Sequence, residues 1–395
     1  MVTLFDLHPV SCGCYYGRKM DYMLQALSLA RLALGNVSPN PAVGAVIVKN
    51  GKVVGQGYTQ PPGSDHAEIV ALKEAGAKAK DATLYVTLEP CCHYGRTPPC
   101  TKSLIKAGIK EVYIAMLDPN PIVAGKGKAE LEKAGITVSL SDHENEAGEI
   151  IEAYCKYITR KIPFITAKFA MSLDGKIATR TGDSRYISGD ESRRHVHCLR
   201  YEHDAIMVGA NTILTDDPQL TVRCCTNGGL SHKQPLRIVV DAGARTPTSA
   251  KIFHEPGKVL MVVGENASTD RKYDYEQLGA EVIVLPAKKG LIDLPSLLKT
   301  IGERQITSVL VEGGGTLLGS LFDAKLVDKV IAFIAPVIIG GKKAVTPVAG
   351  KGAESVIDSI KLERVSTRFF GSDIMISGYA GKGTCSPVSS KKSAK

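Results

Sequence analysis

Two stretches of the sequence decide the fold: GSDHAEIVAL at residues 63–72 and TLEPCCHYGRTPPC at residues 87–100. The first contains His66, and the second contains Cys91 and Cys100. One neutral imidazole and two thiolates form a ligand set that suits zinc and leaves the fourth tetrahedral position open. The spacing therefore predicts a zinc site made by His66, Cys91 and Cys100.

Glu68 follows His66 by two residues, in the first turn of a helix predicted over residues 65–78. From there its carboxylate can fold back towards the metal. Zinc acidifies a bound water, and a nearby carboxylate can take that proton and pass it to a leaving amine. This combination indicates hydrolytic deamination of an amidine-like carbon in a heterocycle, with Glu68 as the predicted proton shuttle.

Length and composition indicate a globular protein of two or three domains, since the chain has 395 residues, 44% of them hydrophobic and 23% charged. Apolar runs such as VIAFIAPVII are too short to span a bilayer, and no leader with a cleavage site opens the sequence, so we expect no membrane association. The ten cysteines are sparse, and two of them carry the metal prediction. We therefore expect a reducing, cytoplasmic location.

The formal net charge of +9 includes four lysines in the last fifteen residues. The remaining excess of about five fits phosphorylated small substrates as well as nucleic acid. No Arg/Lys run is interleaved with aromatic residues, so we expect a small phosphorylated substrate and no nucleic-acid partner. We also expect a homo-oligomer, although the sequence does not indicate its size.

The first half alternates helices and strands, which predicts a three-layer α/β domain with a largely parallel sheet. It starts with a helix near Asp21, continues through a hairpin at Asn50–Gly51, and ends with one helix through residues 149–160. Pro163 then breaks the pattern. We expect a disordered extension at 1–19, domains at 20–161 and 162–380, and a disordered basic tail at 381–395.

The second half begins with the strand FITAKFAMS at 164–172, where Lys168 is an unusual charge among apolar neighbours. A further strand is predicted over 205–214, and Asp216, Asp217 and Arg223 are expected close together after it. Near residue 313 a strand, a glycine-rich turn and a helix follow one another. Glycines there let backbone N–H groups approach a phosphate, although the turn is not the dinucleotide fingerprint.

At this point the sequence resembles the bifunctional riboflavin-biosynthesis deaminase–reductase family over nearly all of residues 20–380. The matching motifs, in chain order, are PNPAVG, HAE, TLEPC followed by HYGRTPPC, DPNP, SLDGKIA, TDDPQLTVR and VEGGGTLLG. The resemblance implies a cytidine-deaminase-like zinc domain followed by a dihydrofolate-reductase-like domain that binds NADPH. It also implies zinc-dependent deamination of a diamino-pyrimidinone ribotide and then reduction of its ribosyl group to a ribityl chain.

The resemblance further implies roles for individual residues. Substrate contacts are expected at Ser184, Arg200, Leu220, Arg223 and Glu312. From the residues themselves, the Asn40 amide suits a pyrimidine edge, and an ordinary turn asparagine is the alternative. Cofactor contacts are expected at Ala170, Tyr186, Thr212, Asp216, Gly314, Gly315, Thr316, Leu317, Leu318, Gly319 and Ser320. Separately from the resemblance, we infer that Lys168 polarises the sugar carbonyl or its alcohol during hydride transfer.

Two residues depart from the family pattern. Cys92 stands where serine is usual and adds a rival thiol, and Tyr186 stands where tryptophan is common. Two other functions remain open from the residues alone: a nucleic-acid base deaminase with an appended α/β domain, and a structural zinc module that supports a binding domain. The long interval between Cys91 and Cys100 argues against the first. Four protein ligands to the metal would indicate the second.

Overall fold

The computed structural model describes residues 21–95, 97–223, 225–226, 229–230 and 233–381. The expectations for residues 1–19 and for the tail from residue 382 lie outside these described residues. Strands in the first half are β1 (Gly44–Lys49), β2 (Lys52–Tyr58), β3 (Thr83–Val86), β4 (Glu111–Ile114) and β5 (Thr137–Leu140). Helices there are α1 (Tyr22–Ala33), α2 (Ala67–Ala75), α3 (Cys100–Ala107), α4 (Lys126–Lys133), α5 (Glu144–Ile150) and α6 (Glu152–Arg160).

The second half has strands β6 (Phe164–Ser172), β7 (Ala205–Gly209), β8 (Cys225–Thr226), β9 (Gly229–Leu230), β10 (Leu236–Val240), β11 (Val259–Gly264), β12 (Glu281–Leu285), β13 (Ala287–Lys288), β14 (Leu291–Ile292), β15 (Ser308–Val311), β16 (Lys329–Ala335), β17 (Glu363–Phe370) and β18 (Asp373–Tyr379). Its helices are α7 (Asp190–Glu202), α8 (Ala210–Asp216), α9 (Thr269–Gln277), α10 (Leu294–Glu303) and α11 (Gly315–Asp323).

Local sequence explains how the first domain starts. Asp21 caps α1, because its Oδ1 accepts hydrogen bonds from the backbone N–H groups of Met23 and Leu24. The β1–β2 hairpin predicted at Asn50–Gly51 is confirmed, with positive φ angles of 52° and 73° at the two turn residues. These angles are those that a two-residue hairpin of this kind requires, and Asn and Gly adopt them readily.

The first sheet has the order β2-β1-β3-β4-β5. The prediction of a largely parallel sheet is only half right, since β1 pairs antiparallel with both β2 and β3, while β3, β4 and β5 are parallel. Helix α1 approaches the sheet very closely at Gly44, where a Cβ atom would lie 1.9 Å from the carbonyl oxygen of Ala26. Only glycine fits between this helix and the sheet.

The second domain is built on a nine-stranded sheet with the order β12-β11-β10-β7-β15-β6-β16-β18-β17. The first seven strands in this order are parallel, so their carboxyl ends share one edge. β18 runs antiparallel to both β16 and β17. Ligands of open α/β sheets bind outside such carboxyl ends, so this edge is where a site is expected.

Three boundaries differ from those predicted. Helix α2 begins at Ala67, so His66 is its N-cap residue and not part of its first turn. The strand expected over residues 205–214 ends at Gly209, and α8 follows, because Ala210 and Ile213 bury one helical face that resembles a strand in sequence. The single helix expected through 149–160 is interrupted at Ile151, whose φ of −110° and ψ of 21° are not helical.

Ion pairs and hydrogen bonds join the two halves. Lys156 on α6 donates to Asp328 at 2.6 Å with both side chains largely buried, and Asp328 also accepts from the backbone N–H of Ile165 at 2.7 Å. Ser38 of the first domain donates to Asp204 of the second at 2.7 Å. Among the helices of the described ranges, none is long and apolar enough to cross a bilayer.

Candidate functional site

The predicted metal ligands lie together at the amino ends of two helices. The Nδ1 atom of His66 is 3.3 Å from the Cys100 sulfur and 3.6 Å from the Cys91 sulfur. All three ligand atoms lie within 4.8 Å of one another. His66 is the residue before α2, and Cys100 is the first residue of α3. The structure therefore brings together the three side chains that the sequence separates by 34 residues.

Neighbouring groups orient this cluster. The Oγ1 atom of Thr97 lies 3.2 Å from His66 Nε2, which leaves Nδ1 facing the two sulfurs. The backbone N–H of Cys100 donates to the Cys91 sulfur at 3.4 Å, and an N–H at a helix start favours negative charge on its acceptor. Thr97 was not singled out from sequence, since nothing in a loop sequence shows which face of a histidine ring it contacts.

The electrostatics of the cluster favour a thiolate beside a protonatable carboxylate. A hydrogen bond from Cys100, reinforced by His66 against the effect of burial, lowers the pKa of Cys91 to about 4. The same contact together with burial raises the pKa of Cys100. Burial, followed by the negative charge on Cys91, raises the pKa of Glu68 to about 7. Glu68 is 4% exposed, so its carboxyl group sits in a nearly dry environment.

The donor set fits zinc. Zinc–sulfur and zinc–nitrogen bonds of about 2.3 and 2.0–2.1 Å at tetrahedral angles place a nitrogen and a sulfur about 3.5 Å apart. The two observed nitrogen–sulfur distances of 3.3 and 3.6 Å bracket that separation. Within the described residues, the cluster contains three ligands and does not include Cys92. The rival thiol therefore lies outside the ligand cluster, and three protein ligands would leave the fourth position of a tetrahedral ion for water.

A second site lies at the carboxyl edge of the nine-stranded sheet. It is a cavity of about 770 Å³, within the range typical of small-molecule sites. The predicted residues Ser184, Thr212 and Asp216 line it. So do five predicted residues at the start of α11: Gly314, Gly315, Thr316, Leu317 and Ser320. This cavity also carries the amino end of α11, where backbone N–H groups can approach a phosphate.

Other predicted cofactor residues lie elsewhere. Leu318 is fully buried in the core of the second domain, and Gly319 packs against the carbonyl of Ala349. Tyr186 is 74% exposed, with the Arg193 guanidinium stacked 4.4 Å from its ring centre. Ala170 is half-buried on β6, next to the apolar cluster that includes Phe333. The cavity lining includes none of these four predicted residues.

Three charged side chains meet close to the same sheet edge. Arg200 donates two hydrogen bonds to Glu312, at 2.6 and 3.1 Å, and Lys168 donates one at 3.4 Å. Burial alone would raise the pKa of Glu312, but Arg200 and Lys168 outweigh it and lower that pKa to about 2. Burial lowers the pKa of Lys168. The unusual mid-strand lysine thus has a partner, which explains how a charge is tolerated there.

The remaining predicted substrate residues make other contacts. Leu220 is buried in an apolar cluster, so its side chain faces the core. Arg223 is exposed, and its backbone N–H donates to His197 at 3.2 Å. Asn40 is half-buried in the loop before β1, where its N–H donates to the carbonyl of Val37.

Of the three charged residues expected close together, the two aspartates have separate partners. Asp216 accepts a hydrogen bond from Ser184 at 2.9 Å. Asp217 pairs with Lys251 at 3.3 Å.

Comparison with known proteins places this geometry in a family. A model of the RibD C-terminal domain matches residues 163–376, and a model of the cytidine and deoxycytidylate deaminase zinc-binding region matches residues 18–116. The riboflavin biosynthesis protein RibD of Aquifex aeolicus is 44% identical over 358 residues, covering 90% of this chain and 97% of its own. The chain belongs to the RibD family. The Escherichia coli RibD protein is 39% identical over 363 residues, covering 90% and 97%.

Solved structures of RibD proteins agree with this assignment. Acinetobacter baumannii RibD superposes with a TM-score of 0.80 at 34% identity, covering 91% of this chain and 98% of that one. A Thermotoga maritima diaminohydroxyphosphoribosylaminopyrimidine deaminase/5-amino-6-(5-phosphoribosylamino)uracil reductase gives 0.79 at 34% identity, with the same coverage.

As a RibD-family member, the chain is a bifunctional deaminase and reductase of riboflavin biosynthesis that uses zinc and NADPH. The predicted family, α/β fold class, two activities and cofactors are confirmed.

Proposed function

We propose that the chain hydrolyses the 2-amino group of 2,5-diamino-6-(5-phosphoribosylamino)pyrimidin-4(3H)-one and then reduces the resulting 5-amino-6-(5-phosphoribosylamino)uracil. The name of the Thermotoga maritima relative describes this pair of activities. The observation that carries the first reaction is the placement of His66 Nδ1 at 3.3 and 3.6 Å from the two sulfurs. Buried Glu68 belongs to the same group, since the charges on Cys91 and His66 act on its carboxyl group.

His66, Cys91 and Cys100 would hold the zinc of the first site. When bound, zinc supplies Lewis acidity that makes water a nucleophile at neutral pH. Glu68 accepts the proton that this water loses and returns it to the departing amine. Burial raises the pKa of Glu68, and a carboxyl group with a raised pKa can both take up and return a proton near the ambient pH. Asn40, on the loop before β1, would hold the pyrimidine edge.

In the second site, NADPH would supply the hydride. Thr212, Asp216 and the start of α11 line the cavity that would hold this cofactor, with the pyrophosphate at the amino end of α11. Arg200 and Arg223 would bind the phosphate of the substrate arm. Lys168 would donate a proton to the sugar oxygen that becomes a hydroxyl. Glu312 holds Lys168 in place for that step at 3.4 Å.

Two substitutions separate the two reactions. Glu68→Gln keeps the size of the side chain but removes the titratable group, so zinc content should remain while ammonia release falls at least about 100-fold. Lys168→Met should leave ammonia release intact while NADPH oxidation falls by a similar factor. Product masses from the diamino-pyrimidinone ribotide, with and without NADPH, report each step.

Glu132→Gln, an exposed carboxylate on α4, is the matched control and should change neither reaction. Undiminished deamination by Glu68→Gln would contradict the proposed role of Glu68. Undiminished reduction by Lys168→Met would contradict the proposed role of Lys168.

We also propose that the chain forms a homo-oligomer through the β17 edge of its large sheet. β17 pairs only with β18, which leaves its other side open within the described residues. Phe369 is 75% exposed on this strand, and Val365 is exposed beside it. A long exposed edge with apolar side chains is one that proteins normally cover.

Light scattering on the purified protein tests this. Phe369→Glu should shift the mass towards a monomer, while Tyr273→Glu on α9 should not. A monomeric unmodified protein would contradict the proposal.

We propose a cytoplasmic location as well. Reduced zinc-binding thiols are maintained in reducing compartments, and Cys91 and Cys100 are both free thiols. Cell fractionation followed by an assay of both activities tests the location.

A further inference from the structure

The cavity at the carboxyl edge of the large sheet has one cationic side chain among its described lining residues, Arg245. We propose that Arg245 selects NADPH over NADH by pairing with the 2′-phosphate of the adenosine ribose. This rests on the proposed placement of the cofactor in this cavity. It assigns a specificity role to a residue that neither the motifs nor the cavity's glycine-rich turn pointed to.

The order of the strands places Arg245 at the adenosine end. The sheet runs β10-β7-β15-β6, with Arg245 just after β10 and the glycine-rich turn just after β15. Strand spacing of about 4.8 Å puts β10 about 10 Å from β15, on the side opposite to β6 and Lys168. A dinucleotide with its pyrophosphate at the turn and its nicotinamide towards Lys168 therefore extends its adenosine towards Arg245.

Contacts hold the guanidinium in place without using up its donors. Its Nη2 donates to Asn211 Oδ1 at 3.0 Å, and Asn211 also lines the cavity. Its Nε faces Asp241 Oδ1 at 3.7 Å, and the side chain is 57% exposed. A guanidinium has five N–H donors in a fork that matches a phosphate, so several remain available.

The neighbouring carboxylate, Asp241, is not placed to accept a hydrogen bond from a ribose hydroxyl. Sites that prefer NAD use an acidic residue on the ribose 2′-OH, whereas an arginine nearby accommodates the 2′-phosphate. Asp241 follows β10, but its side chain is fully buried, and its Oδ2 accepts from both N–H and Oγ1 of Thr246 at 2.7 Å. The acidic group is turned inward, and the cation is the group that the cavity exposes.

Binding of cofactor fragments to the full-length, zinc-loaded protein tests the role. Calorimetric titration with adenosine 2′,5′-bisphosphate and with 5′-AMP compares ligands that differ by the 2′-phosphate. Arg245→Gln should weaken the bisphosphate about 10- to 100-fold, the range of a charge-assisted pair, and should leave 5′-AMP within about twofold. Arg245→Lys should recover part of the loss. Lys258→Gln, which replaces an exposed cation just before β11, is the matched control.

Kinetics supply the second measurement. Arg245→Gln should raise the KM for NADPH about 10- to 100-fold, with kcat and the NADH parameters unchanged. Equal weakening of the bisphosphate and 5′-AMP, or weakening of neither, would overturn the proposal. Failure of the proposed function would look different, since the unmodified protein would then not oxidise NADPH with the deaminated substrate, whatever the fragment titrations show.

Discussion

Replacing Glu312 by glutamine should destabilise the second domain by about 3 kcal/mol at pH 7.5. The side chain is 9% exposed and carries the only negative charge in its group with Arg200 and Lys168. Its pKa falls from 4.5 to about 2, and each pKa unit corresponds to about 1.4 kcal/mol of preference for the charged form. Because the folded-state pKa is lowered, this stability is fully present above pH 4.5 and is lost as the pH falls through 2.

The expected loss also agrees with the roughly 3–5 kcal/mol that is typical when one partner of a buried ion pair is removed. Hydrogen exchange at amides of β15 and α7, followed by mass spectrometry, reports the opening free energy of this sheet region separately from the first domain. Glu303→Gln, on the exposed side of α10, is the matched control.

A double substitution sharpens the test. Lys168→Met added to Glu312→Gln should cost little or recover stability, because it removes an ammonium group left without its carboxylate. A change in opening free energy below about 0.5 kcal/mol for Glu312→Gln would refute the reasoning, since that is the usual effect of a surface substitution.

Three further outcomes are expected. Thr97→Val removes the hydroxyl beside His66 and should lower zinc affinity about 10- to 100-fold, as measured by competition with a chromogenic chelator. Burial lowers the pKa of His203 to about 4, so below pH 6.5 the unfolded chain binds a proton that the folded chain does not, and the free energy of unfolding should fall by about 1–3 kcal/mol between pH 6.5 and 4. Urea titrations at several pH values measure this fall. It should be smaller in His203→Gln, and an unchanged fall would contradict the role of His203. Gly44→Val places side-chain atoms where a Cβ alone would lie 1.9 Å from the Ala26 carbonyl, so the yield of soluble protein should collapse, whereas Gly51→Asn at the open hairpin turn should be tolerated.

The sequence predicted which three side chains come together, because they lie in two short segments. His66, Cys91 and Cys100 have few other roles at this spacing, and the strand and helix between them fix their approach. The hairpin at Asn50–Gly51 was predicted for a similar reason, since its backbone angles depend on the two turn residues alone. Local determinants of this kind can be recognised without knowing the rest of the fold.

Other features depend on contacts between distant segments. The residues after Gly209 have apolar spacing that fits a strand or a short helix, and packing of Ile213 decides for the helix. The break at Ile151 likewise has no proline or glycine to signal it. Arg245 comes near α8 only because β10 pairs with β7, and no local pattern contains that pairing. The order of the strands could not be predicted from local sequence patterns.

The junction between the domains has a mechanical consequence. Asp328 accepts hydrogen bonds from Lys156 on α6 and from the backbone N–H of Ile165 on β6. The short segment between these two residues is therefore held at both ends. These contacts restrict bending between α6 and β6. A glycine–serine spacer inserted between α6 and β6 would link the two domains flexibly. The effective concentration of one domain near the other would then depend on the length of the spacer.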